Sequence, residues 1–224
     1  MITFIIPTLW KSDRINDTIN SFNRCSNPDI ELIIIDNTNS DYVSNDKRIK
    51  VIKQKQNIFV NPAWNLGVSM SHNKYVCIVN DDISLNINVL LNNLDNFIET
   101  DPNFGIIGCN ENNIRKYKDT NSDTDVLSLI ELDIRTYGFG CMMILNKNNY
   151  IEIPDCFKIF YGDDYLYYYN KNIFNRSIYS IENLSTPGEI SVTSIDFEKD
   201  YIQKEDKYWQ DEIIKLNDKI NRNI

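Results

Sequence analysis

The chain of 224 residues is acidic, with 32 aspartates and glutamates against 23 lysines and arginines and a formal net charge of −9. Affinity for a nucleic-acid backbone depends on clustered lysine and arginine, so this balance argues against a nucleic-acid partner. The charged fraction of 25% and the apolar fraction of 42% are those of a globular protein. The length favours one α/β domain with an appendage.

The apolar segments are too short for a membrane span, and the first of them does not resemble a secretory signal. Residues 1–7 lack a basic start, and the polar residues Lys11, Ser12 and Asp13 follow closely. Five widely spaced cysteines form no Cys-x-x-Cys pair: Cys25, Cys77, Cys109, Cys141 and Cys156. We therefore expect reduced thiols and a cytoplasmic location.

Apolar runs of strand length alternate with amphipathic helical stretches, which predicts βαβ units and a mainly parallel, Rossmann-like sheet flanked by helices. The predicted strands are 2–6, 32–35, 49–52, 75–79, 105–109 and 137–145, and the predicted helices include 62–71, 89–98 and 162–172. Pro7 is expected to close the first strand, and Ser12 to cap the first helix. The polar segment 110–125 is expected to be a mobile loop.

The C-terminal segment 200–220 has an apolar stripe at alternating four- and three-residue spacing, formed by Trp209, Ile213, Leu216 and Ile220. This spacing predicts an amphipathic helix. We expect the helix to pack on its own domain, with a second chain of a homodimer as the alternative. The predicted organisation is a main domain over 1–196 followed by this helix over 197–224.

Polar residues follow several predicted strands, where open α/β sheets bind their ligands. They are Pro7-Thr8, Asp36, Asn80-Asp81-Asp82 and, further on, the turn Gly162-Asp163-Asp164. Adjacent carboxylates at Asp81 and Asp82 suit a hard divalent cation that bridges two phosphates. The alternative is an ordinary Asn-Asp turn at the end of a strand.

Six segments, in chain order within residues 1–170, resemble the successive motifs of family 2 glycosyltransferases with the GT-A fold. They are Ile5-Ile6-Pro7-Thr8, Ile33-Ile34-Ile35-Asp36-Asn37, Asn61-Pro62-Ala63-Trp64-Asn65-Leu66-Gly67, Val79-Asn80-Asp81-Asp82-Ile83, Gly138-Phe139-Gly140-Cys141-Met142 and Phe160-Tyr161-Gly162-Asp163-Asp164. The resemblance implies a nucleotide-diphospho-sugar transferase fold. It also implies transfer of a sugar from a UDP- or dTDP-sugar to a hydroxyl of a glycan or other acceptor, with inversion and with Mn²⁺ or Mg²⁺.

The resemblance also implies roles for residues near the donor. The implied donor-binding residues are Pro7, Thr8, Trp10, Asp36, Asn65, Asn80 and Asp81. Asp36 would receive the base or ribose, with a strand-end capping acid as the alternative. Asp82 would be the direct metal ligand, and Asp81 would lie nearer the ribose or sugar as a second ligand. Asn80 stands where the family usually has an acid, which predicts looser metal binding.

The acid pair Asp163-Asp164 matches the family motif whose carboxylate takes the proton from the acceptor hydroxyl. The motif favours Asp164 as this base, with Asp163 as the alternative. The non-catalytic interpretation is that both acids only complement a helix dipole. Family members often place a metal-binding histidine late in the chain, roughly where Thr186-Pro187-Gly188 lies here. The only histidine, His72, is expected to be an ordinary surface residue.

Two other functions remain open at the level of the sequence. A sugar nucleotidyltransferase usually has a glycine-rich phosphate loop after its first strand, whereas the segment Pro7-Thr8-Leu9-Trp10-Lys11 has no glycine. A non-catalytic domain that binds a nucleotide or glycan is compatible with Asn80 and with the missing histidine.

Overall fold

The computed structural model describes residues 1–115, 118–188 and 192–222. Its strands are β1 (Ile2–Thr8), β2 (Glu31–Asp36), β3 (Ile49–Lys53), β4 (Tyr75–Val79), β5 (Ile106–Gly108), β6 (Ser128–Glu131), β7 (Met142–Asn146) and β8 (Ile178–Glu182). Its helices are α1 (Arg14–Arg24), α2 (Val60–Met70), α3 (Ile87–Thr100), α4 (Glu111–Arg115), α5 (Gly162–Tyr168) and α6 (Val192–Arg222). A π-helical turn, Tyr169–Ile173, follows α5, and short 3-10 turns lie at Phe139–Cys141 and Lys147–Asn149.

The strands of the described chain form one sheet in the order β3-β2-β1-β4-β7-β5-β8-β6. Strands β3, β2, β1 and β4 are parallel neighbours, and β7 pairs antiparallel with both β4 and β5. β8 runs parallel to β5, whereas β6 at the edge is antiparallel to β8. All strands except β6 and β7 therefore point the same way, which agrees with a mainly parallel sheet.

Two apolar layers cover the sheet, because the strands that lie between helices are hydrophobic on both faces. On one face, Phe4 and Ile6 of β1 belong to a core with helices α1 and α3. On the other face, Ile5 packs in a core with Trp64 of α2 and Leu166 of α5. Gly67 of α2 lies against β1 so closely that an added Cβ would be 2.3 Å from Cγ2 of Ile5. The glycine thus serves close helix packing.

The first strand is longer than expected, since Pro7 lies within β1 and pairs in register with Ile35. The carbonyl of Thr8 accepts the N–H of Asn37 on the β2 side, so the nitrogen of Pro7 faces the β4 side. The ladder with β4 has already ended at Ile5. Proline is tolerated there because no partner needs its missing N–H.

The expected cap at Ser12 is wrong, and the segment expected to be a loop contains a helix. Helix α1 begins at Arg14 with Asp13 at the N-cap, and Ser12 Oγ instead accepts the N–H of Arg14 at 3.1 Å. The 110–125 segment includes α4, and its described part is tied to α3, for example by the amide of Asn93 donating to the carbonyl of Asp125 at 2.9 Å. Lys116 and Tyr117 of this segment lie outside the described residues.

The C-terminal helix begins at Val192, so the boundary expected after Asp196 falls inside α6. Trp209 and Leu216 are buried, and Ile213 packs against the core of the sheet face that α2 covers. The side chain of Ile220 lies outside the described residues. None of the helices in the described chain is long and apolar enough to cross a membrane. All five cysteines, each within the described residues, are free thiols.

Candidate active site

An open cleft lies at the carboxyl ends of β1 and β4, and it encloses about 550 Å³ of space that opens to solvent. We call it the β1–β4 cleft. It is lined by Pro7, Thr8, Leu9, Lys11, Ser12, Asn37, Asn57, Phe59, Val60, Asp81, Asp82 and Ile159. Four predicted residues, Pro7, Thr8, Asp81 and Asp82, therefore meet in one cavity.

The two strand ends are joined by side chains. Thr8 donates its hydroxyl to Asp81 Oδ2 at 2.7 Å, and the N–H of Leu9 reaches the same oxygen at 3.3 Å. Thr8 Oγ1 in turn accepts the N–H of Trp10 at 2.8 Å. Trp10 has a positive φ of 55°, and its ring packs on Tyr42 with 4.6 Å between centroids. Trp10 is not among the described residues that line the cleft, and its ring packs on Tyr42 instead.

Asp82 lines the cleft, and residues 186–188 lie near it. This late segment is roughly where family members place a metal-binding histidine. Ile83 forms a bridge with Gly188, and the N–H of Ser84 donates to the carbonyl of Pro187 at 2.8 Å. The late segment therefore runs beside the backbone of Asp82, where an added Cβ on Gly188 would be 3.4 Å from the carbonyl oxygen of Asp82. His72 lies at the opposite end of the sheet, where its Nδ1 is 3.2 Å from Glu31 Oε1 at the start of β2.

The carboxylates of the cleft fit one mode of metal binding. Within residues 1–115, 118–188 and 192–222, no set of three or more histidine, cysteine, aspartate or glutamate side chains is placed to hold a metal ion. Magnesium is commonly held by one or two carboxylates together with substrate phosphates. Asp81 and Asp82 both line the β1–β4 cleft, which opens to solvent. The chain thus suits a metal held jointly with the substrate rather than a complete protein cage.

Asp36 is fully buried and caps the turn that follows β2. Its Oδ1 accepts the N–H of Thr38 at 2.9 Å and the hydroxyl at 2.8 Å, while its Oδ2 accepts the N–H of Ser40 at 2.8 Å and the hydroxyl at 2.7 Å. Burial opposes the charge of Asp36, but these four hydrogen bonds outweigh it and hold the pKa below its ordinary value. The geometry is that of a capping acid.

Asn65 and Asn80 also have local partners. The amide of Asn65 donates to the carbonyl of Ile153 at 2.8 Å and accepts from the hydroxyl of Tyr150 at 2.7 Å, so it fixes the segment that follows β7. The backbone N–H of Asn80 donates to the carbonyl of Cys141 at 2.9 Å. Among the described residues, both asparagines lie outside the cleft lining.

Asp163 and Asp164, which we call the acid pair, lie in the first turn of α5 and share one arginine. Arg135 donates through Nε to Asp164 Oδ1 at 2.7 Å and through a terminal nitrogen to Asp163 Oδ2 at 2.9 Å. Burial and the neighbouring charge of Asp163 raise the pKa of Asp164 to about 6, although Arg135 acts in the opposite direction. A carboxyl with this pKa is suited to accept a proton near neutral pH.

The 138–141 turn connects the acid pair to the cleft. Its last residue, Cys141, holds the N–H of Asn80 beside the two cleft aspartates. Its third residue, Gly140, faces Asp163 so closely that an added Cβ would be 2.7 Å from Oδ2. Gly138 starts the turn with a left-handed φ of 78°. One short backbone segment therefore contacts both Asn80, which precedes the cleft aspartates, and Asp163 of the acid pair.

The structure adds site residues that the sequence did not indicate. Asn37 lines the cleft, and its Oδ1 accepts the N–H of Ile58 at 3.1 Å. Phe59 lines the cleft with φ 70° and ψ −175°, a region occupied almost only by glycine, at a cost of about 1–3 kcal/mol. Arg135 carried no sequence signal, because it lies 28 and 29 residues from its partners in the chain.

Solved structures with similar folds include those of two proteins, TarS and PcManGT. S. aureus TarS 1-349 in complex with UDP matches with a TM-score of 0.58 and 16% identity over 85% of this chain and 60% of that one. The mannosyltransferase PcManGT from Pyrobaculum calidifontis, in complex with GDP-Man and Mn²⁺, matches with a TM-score of 0.58 and 11% identity over 85% of this chain and 57% of that one. At these identities the similarity shows the fold, and this chain spans less than two thirds of either structure.

A search of curated proteins found no significant match. The family model described as "Glycosyl transferase family 2" matches residues 3–163, a span that includes β1, both cleft aspartates, the 138–141 turn and Asp163 of the acid pair. That span is well over half of the chain. This protein therefore belongs to glycosyl transferase family 2.

Proposed function

We propose that this chain transfers a sugar from a nucleotide-sugar, a UDP- or dTDP-sugar, to an acceptor hydroxyl, with inversion at the anomeric carbon. The observation that carries the proposal is the 138–141 turn, which abuts the cleft aspartates through Asn80 and the acid pair through Gly140. A donor sugar above this turn would have its phosphate on the cleft side and a carboxylate base on the other side.

The β1–β4 cleft would bind the nucleoside diphosphate of the donor. Asp81 and Asp82 would hold a divalent ion, manganese or magnesium, which would neutralise charge on the departing diphosphate. Lys11 lines the same cleft and would add positive charge near the phosphates. The ring of Phe59 and the amide of Asn37, which line the same cleft, would contact the base or ribose. Asp36 would act indirectly, by shaping the 37–40 turn.

The reaction requires a base opposite the leaving phosphate. The acceptor oxygen would form a bond to the anomeric carbon as the bond from that carbon to the diphosphate oxygen breaks, and Asp164 would take the hydroxyl proton. Arg135 forms ion pairs with both acids and so restricts their orientation. The side chain of Asp163 also lies against Gly140 of the 138–141 turn, which restricts it further. This division leaves Asp164, with its raised pKa, as the base.

The test is release of nucleoside diphosphate from a panel of UDP-, dTDP- and GDP-sugars, with Mn²⁺ or with EDTA. Asp164→Asn should lower turnover by about two to four orders of magnitude, while UDP affinity changes little. Asp211→Asn, an exposed acid on α6, is the matched control and should keep wild-type turnover. Transfer that is equally fast in EDTA would remove the metal from the proposal.

The same assay separates the alternatives. A non-catalytic nucleotide- or glycan-binding domain would bind UDP without releasing it from any donor. A sugar nucleotidyltransferase would form a nucleotide-sugar from a nucleoside triphosphate and a sugar phosphate. Three further points belong to the proposal. A panel of acceptors tests whether the acceptor is a glycan, and cell fractionation tests the cytoplasmic location. Light scattering tests the possible homodimer.

A further inference from the structure

Glu205 of α6 holds the backbone that leads into the acid pair. Its side chain is 1% exposed, and its carboxylate accepts the N–H of Lys158 at 2.9 Å and the N–H of Phe160 at 2.8 Å, one through each oxygen. The N–H of Ile159, between them, reaches both oxygens at 3.2 Å. Three consecutive backbone donors thus converge on one buried carboxylate, although the partners are more than 40 residues apart in the chain.

The same helix holds the residue directly before the acid-pair turn. Tyr161 has a left-handed φ of 60°, which is unfavourable for a large aromatic residue. Its hydroxyl donates to Asp206 Oδ1 at 3.0 Å, and its ring stacks on Trp209 with 5.7 Å between centroids and 17° between planes. Neighbouring contacts from α6 can maintain such a strained backbone.

A second strained residue touches the same helix at the cleft. The ring of Phe59, which lines the β1–β4 cleft, packs on Tyr201 of α6 with 5.2 Å between centroids. The strained residues Phe59 and Tyr161, one beside the donor and one beside the base, are thus both in contact with α6. This helix lies beyond residues 3–163, the span that the family model matches.

We infer that α6 positions the reacting groups of the proposed transferase, with Glu205 fixing the segment that carries the base and Tyr201 fixing the cleft wall at Phe59. Glu205 and Tyr201 act through other residues, so they are positioning residues. The inference rests on the proposed function. Its distinctive consequence is that Glu205 should act mainly on turnover and Tyr201 on donor affinity. Glu205 holds the segment that leads into the acid pair, of which Ile159 alone lines the cleft, whereas Tyr201 packs on the cleft wall at Phe59.

The experiment compares Glu205→Ala, Glu205→Gln and Tyr201→Ala, each assayed well below its melting temperature. Displacement of a catalytic group by about 1 Å can cost about a hundredfold in rate, so Glu205→Ala should lower kcat by about tenfold to a hundredfold. Its Kd for UDP with Mn²⁺ should remain within about threefold of wild type, because among Lys158, Ile159 and Phe160 only Ile159 lines the cleft. Glu205→Gln keeps one acceptor oxygen and should fall between Glu205→Ala and wild type. Tyr201→Ala should show the reverse pattern, with weaker UDP binding and nearly normal kcat at saturating donor.

Leu216→Ala is the matched control, because Leu216 is fully buried on the same helix, three turns beyond Glu205. It should lower the melting temperature without changing kcat or the Kd for UDP. If Glu205→Ala and Tyr201→Ala behave like Leu216→Ala, α6 only stabilises the fold and the inference is overturned.

Amide hydrogen exchange gives a readout that needs no activity. Glu205→Ala should lose protection at Lys158, Ile159 and Phe160, whereas Leu216→Ala should keep it. Unchanged protection in Glu205→Ala would overturn the inference even for an active enzyme. A wild-type protein that releases no diphosphate from any donor and binds no nucleotide would instead refute the proposed function, and the exchange result would still decide whether Glu205 holds this segment.

Discussion

Thr8 and Asp81 join the ends of β1 and β4 through a hydrogen bond of 2.7 Å from the threonine hydroxyl to the carboxylate. The N–H of Leu9 reaches the same oxygen, and the two hydrogen bonds together restrict the rotation of the Asp81 carboxylate at the end of β4. Orientation of an acidic ligand by a neighbouring donor is a recurrent feature of metal sites.

Thr8→Val should therefore weaken binding of UDP with Mn²⁺ by about tenfold to a hundredfold, the effect typical of losing a partner of a metal ligand. Valine keeps the shape of threonine, so the backbone of β1 should be unchanged. Thr38→Val is the control, since it removes a similar hydroxyl from Asp36 outside the cleft. Calorimetric titration measures both, and equal affinities for Thr8→Val and wild type would show that the bond does not orient Asp81.

Arg135→Met should move the acidic limb of the pH–rate profile to higher pH. Asp164 must be deprotonated to act as a base, so kcat/KM should fall as the pH drops through its pKa of about 6. Arg135 lowers this pKa by its charge and its hydrogen bond, and removal of the arginine should therefore raise it. Arg135→Lys keeps the charge and should shift the limb less. A limb that stays in place in both variants would mean that Asp164 is not the base.

Asp36→Asn should destabilise the protein by about 1–3 kcal/mol at pH 7, because the hydrogen bonds to a charged group are weakened. The pKa of Asp36 is lowered by folding, so its stabilising effect is present above the ordinary value of 3.8 and is lost as the pH falls through the lower folded value. The difference in the free energy of unfolding between Asp36→Asn and wild type should thus become smaller as the pH falls through the folded pKa of Asp36. Urea unfolding measures it. UDP titration of the folded variant separates the two roles of Asp36. Only the loss of a direct ligand contact would strongly reduce the affinity for UDP, whereas the loss of a capping acid would not.

Two glycine substitutions should separate activity from stability. Gly140→Ala places a methyl group 2.7 Å from Asp163 Oδ2, so the acid pair must move and kcat should fall. Gly67→Ala places a methyl group 2.3 Å from Cγ2 of Ile5, so it should destabilise the fold by about 1–3 kcal/mol with little effect on kcat. Steady-state kinetics and thermal unfolding of both variants check this contrast, and matching effects of the two on kcat would contradict it.

Much of the first half of the fold is readable from the sequence because β1, β2 and β4 are continuous apolar runs that end in polar residues. The strand-end acids Asp81 and Asp82 follow from the same pattern. Strands β6 and β8 were not predicted. For β6, a short and mostly exposed edge strand, exposure removes the hydrophobic periodicity on which a prediction depends.

The functional contacts that escaped prediction are long-range ones. Glu205 looks like any other acid in a charged helix until folding places it against the N–H of Phe160. Asp36 was ambiguous for a different reason, because a capping acid and a ligand-binding acid occupy the same position after a strand. Only the hydrogen bonds to Thr38 and Ser40 show that both of its oxygens have partners.

At Phe59, a single position couples the thermal stability of the chain to the shape of the β1–β4 cleft. Glycine at 59 would relax the unfavourable dihedral angles, and selection for heat resistance alone would favour it. The same change would remove a wall of the β1–β4 cleft and the ring that packs on Tyr201. If an aromatic residue is retained at position 59 despite this strain, natural selection has accepted a less stable chain in order to keep the shape of the β1–β4 cleft.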